Sequence, residues 1–170
     1  MAFLSFGLDS MVGDYYQTHQ HELQTNYPGL SQARFLEETR RFLGPMNQGD
    51  FWGGKTKQKI EDFFSLVSKG TPLEYINHLA YFYQSEFFVD ERVLIPRYET
   101  EILVELAKEE ILNKGFHLIA EVGVGSGAIG LSLAQECNDH PMTFFMGDLS
   151  QKALEVAKIN HGKLQYTFQN

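Results

Sequence analysis

Cysteine is nearly absent: Cys137 is the single one in 170 residues. An intramolecular disulfide is therefore excluded, as is a zinc site built from several thiolates. The lone thiol reads as a small buried hydrophobe at a helix end. Basic residues are scarce too, with 14 Lys and Arg against 22 Asp and Glu and a net charge of -8. Gripping nucleic acid through its phosphates requires clustered cations, so no direct nucleic-acid partner is expected. A basic protein partner is compatible with this balance. No apolar run approaches the ~20 residues of a membrane span. The N-terminal MAFLSFGLDSMVGDYY also lacks the basic start and long apolar stretch of a secretory signal. No membrane partner is expected, and a cytoplasmic location follows by default. The six histidines show no ligand spacing, and His19 and His21 diverge on a helix, so no metal site is expected. Proline occurs only at positions 28, 45, 72, 96 and 141.

What is present is apolar and aromatic, 43% and 14% of residues, enough to pack a core. The first third has helical periodicity. Leu8, Met11, Val12, Tyr15, Tyr16, His19 and Leu23 share one face, with Asp9 or Ser10 as the expected N-cap. Ser31 should cap a second helix carrying Phe35, Leu36, Thr39, Phe42 and Leu43, and Gly44-Pro45 should stop it. A glycine-rich loop to Gly54 is expected next. Ile60, Phe63, Phe64 and Val67 then line a third helix closed by Gly70. Thr71-Pro72-Leu73-Glu74 reads as a capping box with proline at the first helical position, opening a short helix with Leu73, Ile76 and Leu79. A small helical bundle accounts for this region, and it carries no evident chemistry.

From Ser85 the pattern changes. Phe87-Phe88-Val89 and Val93-Leu94-Ile95 around Asp90-Glu91 predict a β-hairpin. Glu99 and Glu101 suit the positive end of the helix that follows, with Ile102, Leu103, Leu106 and Ala107 as its apolar face. A β–α–β unit comes next. Residues 117–122 read as a buried strand, Gly123-Val124-Gly125-Ser126-Gly127 as a tight turn, 128–137 as a helix and 142–147 as a second strand. Ser150 then caps a helix ending near Gly162. Alternating strands and helices imply a parallel sheet and an α/β fold.

A glycine turn after a first strand lets a ligand approach the backbone, and side chains at 123, 125 and 127 would forbid the required φ angles. Two ligand classes fit. Gly125, Gly127 and Gly130 satisfy the dinucleotide pattern G-x-G-x-x-G. Gly123, Gly125 and Gly127 satisfy the acidic-x-G-x-G-x-G pattern of methyltransferases. Neither glycine pattern decides alone. Asp148, ending the second strand, could accept two ribose hydroxyls in either case. Glu121 separates them: its carboxylate would repel a pyrophosphate and suit the ammonium and sulfonium of S-adenosylmethionine.

Residues 70–101 add GTPLEYINHLAYFYQSEFFVDERVLIPRYETE. With Leu94-Ile95-Pro96-Arg97, Glu99-Thr100-Glu101, the 121–130 stretch and Gly147-Asp148-Leu149-Ser150, the chain resembles the release-factor glutamine N5-methyltransferases (the HemK/PrmC family). Tyr98 stands where that family usually has proline, and His78 where it often has glycine. The resemblance implies three segments: a helical recognition domain over 1–83, a β-hairpin linker over 84–95, and over 96–170 the first part of a Rossmann-like class I methyltransferase sheet. It implies S-adenosylmethionine as cofactor, held by Glu121, Gly123, Val124, Gly125, Ser126, Gly127 and Asp148. Phe82, Arg97, Thr100 and Glu101 become candidates for the pocket rim, and a peptide chain release factor becomes the protein substrate. The family grips its glutamine with Asn-Pro-Pro-Tyr, which the five prolines cannot supply. No catalytic residue is therefore assigned, the sheet reads as truncated, and the chain alone is expected to be inactive. An adenine methyltransferase or a non-catalytic docking fragment are the alternative readings.

Overall fold

A computed structural model describes residues 2–45 and 54–165. The loop expected between Gly44 and Gly54 lies largely outside them. The chain divides into two compact units, Met1–Asn77 and His78–Asn170.

The first unit is helical: α1 (Ala2–Thr18), α2 (Gln20–Asn26), α3 (Gln32–Leu43), α4 (Gly54–Ser68) and α5 (Leu73–Ile76). Most of the periodic apolar residues meet in one core, which includes Leu8, Val12, Leu23, Phe35, Phe63 and Val67, whereas Met11, expected on the same face, is exposed. Ser31 caps α3 by accepting the Arg34 N–H at 3.2 Å, and Gly44 ends it with φ +70°. Two expectations fail. No cap forms at Asp9 or Ser10, because α1 is already under way from Ala2; the Asp9 carboxylate instead meets Arg40 at 2.6 Å. Nor is Thr71–Glu74 a capping box. Pro72 is itself the N-cap, in an extended conformation with no side-chain cap bond, and Glu74 faces Arg34 at 3.6 Å. The helix has only four residues and excludes Leu79.

The second unit carries β1 (Ala80–Phe82), β2 (Ser85–Phe87), α6 (Glu101–Lys114), β3 (Leu118–Val122), α7 (Ala128–Glu136), β4 (Thr143–Gly147) and α8 (Gln151–Gln165). It is α/β, mostly helical with two small sheets. The hairpin is real but sits earlier than the sequence suggests. Ala80 pairs with Phe87 and Phe82 with Ser85, and the turn falls at Tyr83-Gln84. Residues 88–95 form no strand, because their hydrogen bonds go elsewhere. The Asn160 side chain takes both backbone groups of Phe88. The Asp90 carboxylate takes the Arg92 backbone N–H at 3.1 Å, while Val93 N–H closes a turn onto Asp90 O at 3.1 Å. Since the units divide after Asn77, this hairpin belongs to the second. Tyr98 opens a 3₁₀ turn over Tyr98–Thr100, the first-turn position that also accommodates proline.

Strands β3 and β4 are parallel, Leu118 opposite Thr143 and Val122 opposite Gly147. Strict alternation sends Ile119, Phe144 and Met146 into a core with Leu131, Leu133 and Val104. The opposite face is open among the described residues, with Leu118, Val122 and Phe145 at 66%, 91% and 60% exposure. The strand read as buried is thus half exposed. Helix α6 is turned likewise: it buries Val104 and Ile111, whereas Ile102, Leu103 and Leu106, expected inside, are exposed. Both faces of α6 are apolar, so periodicity could not choose between them.

Candidate functional site

Strand β3 delivers Glu121, and the chain must then reverse into α7 within five residues. Gly123, Gly125 and Gly127 do this with φ of +80°, +53° and +84°, a region that favours glycine. The N–H groups of Gly123 and Val124 donate to Gly147 O at 2.8 and 3.2 Å, sealing the turn to the end of β4. A Cβ at Gly127 would also press on Leu131 Cδ1 at 2.9 Å. A Cβ at Gly130 would overlap Glu121 Oε2. The third glycine of the dinucleotide pattern therefore makes space for the acid.

Glu121 is half-buried, and its Oε2 is buried without a hydrogen-bond partner. Burial pushes its pKa from 4.5 to about 7, against a smaller opposing pull from the Gly130 N–H, which makes no hydrogen bond to Oε2. Near neutral pH it is poised between acid and anion. Desolvation disfavours its charge, and no cation among the described residues offsets this.

Asp148 lies beside the turn in a different electrostatic state. Its Oδ2 accepts the Gly125 N–H at 2.9 Å and its Oδ1 the Ser150 N–H at 2.8 Å. The N–H groups of Gly125, Ser150 and Leu149, Gly125 first, hold its carboxyl below the usual range, so it is ionised near neutral pH. A carboxylate offers about four lone-pair sites, so room for a further donor remains.

A cavity of about 170 Å³ opens against the turn, lined by Glu121, Gly123–Ser126, Ala128 and Ile129 together with Phe82, Leu94–Arg97 and Thr100. The structure thus brings Glu121, Gly123, Val124, Gly125, Ser126, Phe82, Arg97 and Thr100 around one space. Gly127 belongs to the same turn but does not line the cavity. Asp148 is outside the cavity and joined to it through Gly125. Glu101 is not brought to the cavity: its Oε1 accepts the Tyr83 N–H at 2.8 Å and braces the hairpin turn. Arg97 is exposed and makes no ion pair among the described residues. Among the described residues no His, Cys, Asp and Glu cluster could hold a metal ion, and no helix is long and apolar enough to cross a membrane.

The sequence reading missed Asn160. Its side chain is fully buried at 0% exposure on the stripe of α8 that also buries Ala153, Val156, Ala157 and Leu164. A lone amide at helical spacing among apolar residues was the available signal.

No family model matches the sequence. Individual relatives do. A protein named release factor glutamine methyltransferase from Dictyoglomus turgidum is 44% identical over 131 residues, 77% of this chain and 45% of the relative. One of the same name from Streptococcus pneumoniae is 44% identical over 104 residues, 61% and 36% of the two chains. Another from Clostridium acetobutylicum is 36% identical over 125 residues, 74% and 43%. The chain spans less than half the length of these curated relatives. The blocks read from the sequence and these matches agree: the chain belongs to the family of the release factor glutamine methyltransferases.

Proposed function

We propose that the cavity beside the glycine turn receives the amino-acid end of S-adenosylmethionine, on a Rossmann-like frame begun by β3, α7 and β4. The supporting observation is the orphaned, buried Glu121 Oε2 at the cavity's edge. An ammonium group supplies the donor this oxygen lacks, and a pyrophosphate would meet a carboxylate. At about 170 Å³ the cavity is below the roughly 300–1,000 Å³ of a whole-ligand pocket. It suits one end of the cofactor, leaving the nucleoside over the open crest toward Asp148. There the ionised carboxylate accepts the ribose hydroxyls through its free lone pairs.

The bound cofactor would supply an activated methyl on a sulfonium. The chain's own work is to hold and orient. Gly123, Gly125 and Gly127 bring backbone within reach of the ligand, Val124 and Ser126 complete the turn, and Phe82, Arg97 and Thr100 complete the cavity lining. The acceptor in this reading is the side-chain amide nitrogen of a glutamine in a peptide chain release factor. Its lone pair is delocalised, so alignment and exclusion of water carry most of the acceleration. These residues include no Asn-Pro-Pro-Tyr to grip that amide, so their assigned part is cofactor binding, and the helical unit is assigned to recognition of the protein substrate. Calorimetric titration of the protein as encoded with S-adenosylmethionine and with NAD tests the reading. Saturable binding of the first and none of the second is expected; the reverse pattern overturns it.

A further inference from the structure

We infer that Asn160 is a positioning residue for the cofactor cavity, its side-chain amide locking the backbone of Phe88 to the glycine turn at Ser126. The inference rests on the cavity being the S-adenosylmethionine site proposed above. Asn160 Oδ1 accepts the Phe88 N–H at 2.6 Å, and its Nδ2 donates to Phe88 O at 2.9 Å and to Ser126 O at 2.8 Å. One planar amide thus satisfies both backbone groups of Phe88, as a neighbouring strand would. It spends its second N–H on a carbonyl inside the turn. The two partners lie 72 and 34 residues away in sequence.

The arrangement is buried. Asn160 is fully buried and Ser126 nearly so, at 4% exposure. From Phe88 the chain runs through buried Val89, the Asp90–Arg92 turn and buried Val93 into Leu94–Arg97, which line the cavity. The turn that contains Ser126 lines it too. Asn160 therefore ties these two lining segments to each other without itself lining the cavity. No other residue type does the same. Aspartate keeps the shape and can accept from Phe88 N–H, but it offers no donors and, ionised, faces two carbonyl oxygens. Leucine fills the volume and leaves three backbone groups without partners. Serine does not reach.

The test measures S-adenosylmethionine affinity of the protein as encoded, by titration well below every variant's melting temperature. Asn160→Asp is expected to weaken binding about tenfold or more, the loss of about one or two buried hydrogen bonds' worth of positioning. Val156→Ala, on the same buried stripe but touching neither Phe88 nor Ser126 through hydrogen bonds, lowers stability and is expected to leave affinity within about twofold. If Asn160→Asp does not stay folded, Asn160→Ser takes its place with the same expected loss. Unchanged affinity in the Asn160 variant overturns the inference while the cofactor reading stands. Equal loss in Val156→Ala also overturns it, because general loosening would then explain the effect. No binding by the unsubstituted protein overturns the cofactor reading and the inference together.

Discussion

Replacing Glu121 by glutamine removes one carboxyl and should make the protein more stable, but only above acid pH. In the folded chain the group titrates at about 7, against an ordinary 4.5. The folded state thus holds its proton more tightly than the unfolded state. The sign follows by linkage: the unfavourable ionisation is absent below about 4.5, grows as pH rises, and is complete above about 7. At about 1.4 kcal/mol per pH unit the gap sets an upper bound of ~3 kcal/mol. Glu121 is half-buried and borders an open cavity, so solvent screening cuts this to roughly 1–2 kcal/mol. Glutamine keeps the shape and carries no charge to desolvate. Urea unfolding at pH 5 and pH 8 is the assay. Glu121→Gln should exceed the unsubstituted protein by roughly 1–2 kcal/mol at pH 8, with most of the gain gone near pH 5. The same substitution should abolish the rise of S-adenosylmethionine affinity between pH 5.5 and 7, a rise of about tenfold in the parent as the carboxylate forms. A variant no more stable at pH 8, or equally stabilised at both pH values, would refute the electrostatic reasoning.

Gly130→Ala forces a methyl onto Glu121 Oε2, so it should cost roughly 1–3 kcal/mol by thermal melting. Pairing it with Glu121→Ala should recover much of that, and strict additivity would count against the contact. His78 holds φ +50° while its ring stacks on Phe88 at 5.2 Å. Glycine relieves the backbone and loses the stack, whereas alanine loses the stack and keeps the strain. His78→Gly should therefore be more stable than His78→Ala by ~1 kcal/mol in urea unfolding, and the opposite order would deny the strain.

Much of this was readable from residues whose chemistry permits few conformations. Gly123, Gly125 and Gly127 announced a turn because little else tolerates their φ values, and Ser31 announced a cap because its hydroxyl stands where a helix N–H needs an acceptor. The errors arose where partners distant in sequence decide. Phe87-Phe88-Val89 is β-prone, yet Phe88 gives its backbone to an amide 72 residues away, so the hairpin forms upstream. In α6, apolar residues on both faces left burial to whichever side α7 approached. Glu101 looked like a rim residue from its place in the motif, whereas the Tyr83 N–H fixes it elsewhere. Asp148 was assigned to sugar hydroxyls, and the structure adds a tie to Gly125 that spacing could not reveal.

Among the described residues the β3–β4 ribbon is upholstered on one side only. Ile119, Phe144 and Met146 bind it to the helices, while Leu118, Val122 and Phe145 stand largely exposed. Because Val122 and Gly147 are the last rungs before the glycine turn and Asp148, any slackening of this single-backed ribbon shifts the cradle itself. Whatever layer meets the bare side would brace two strands and at the same time set how firmly the crest above them is held.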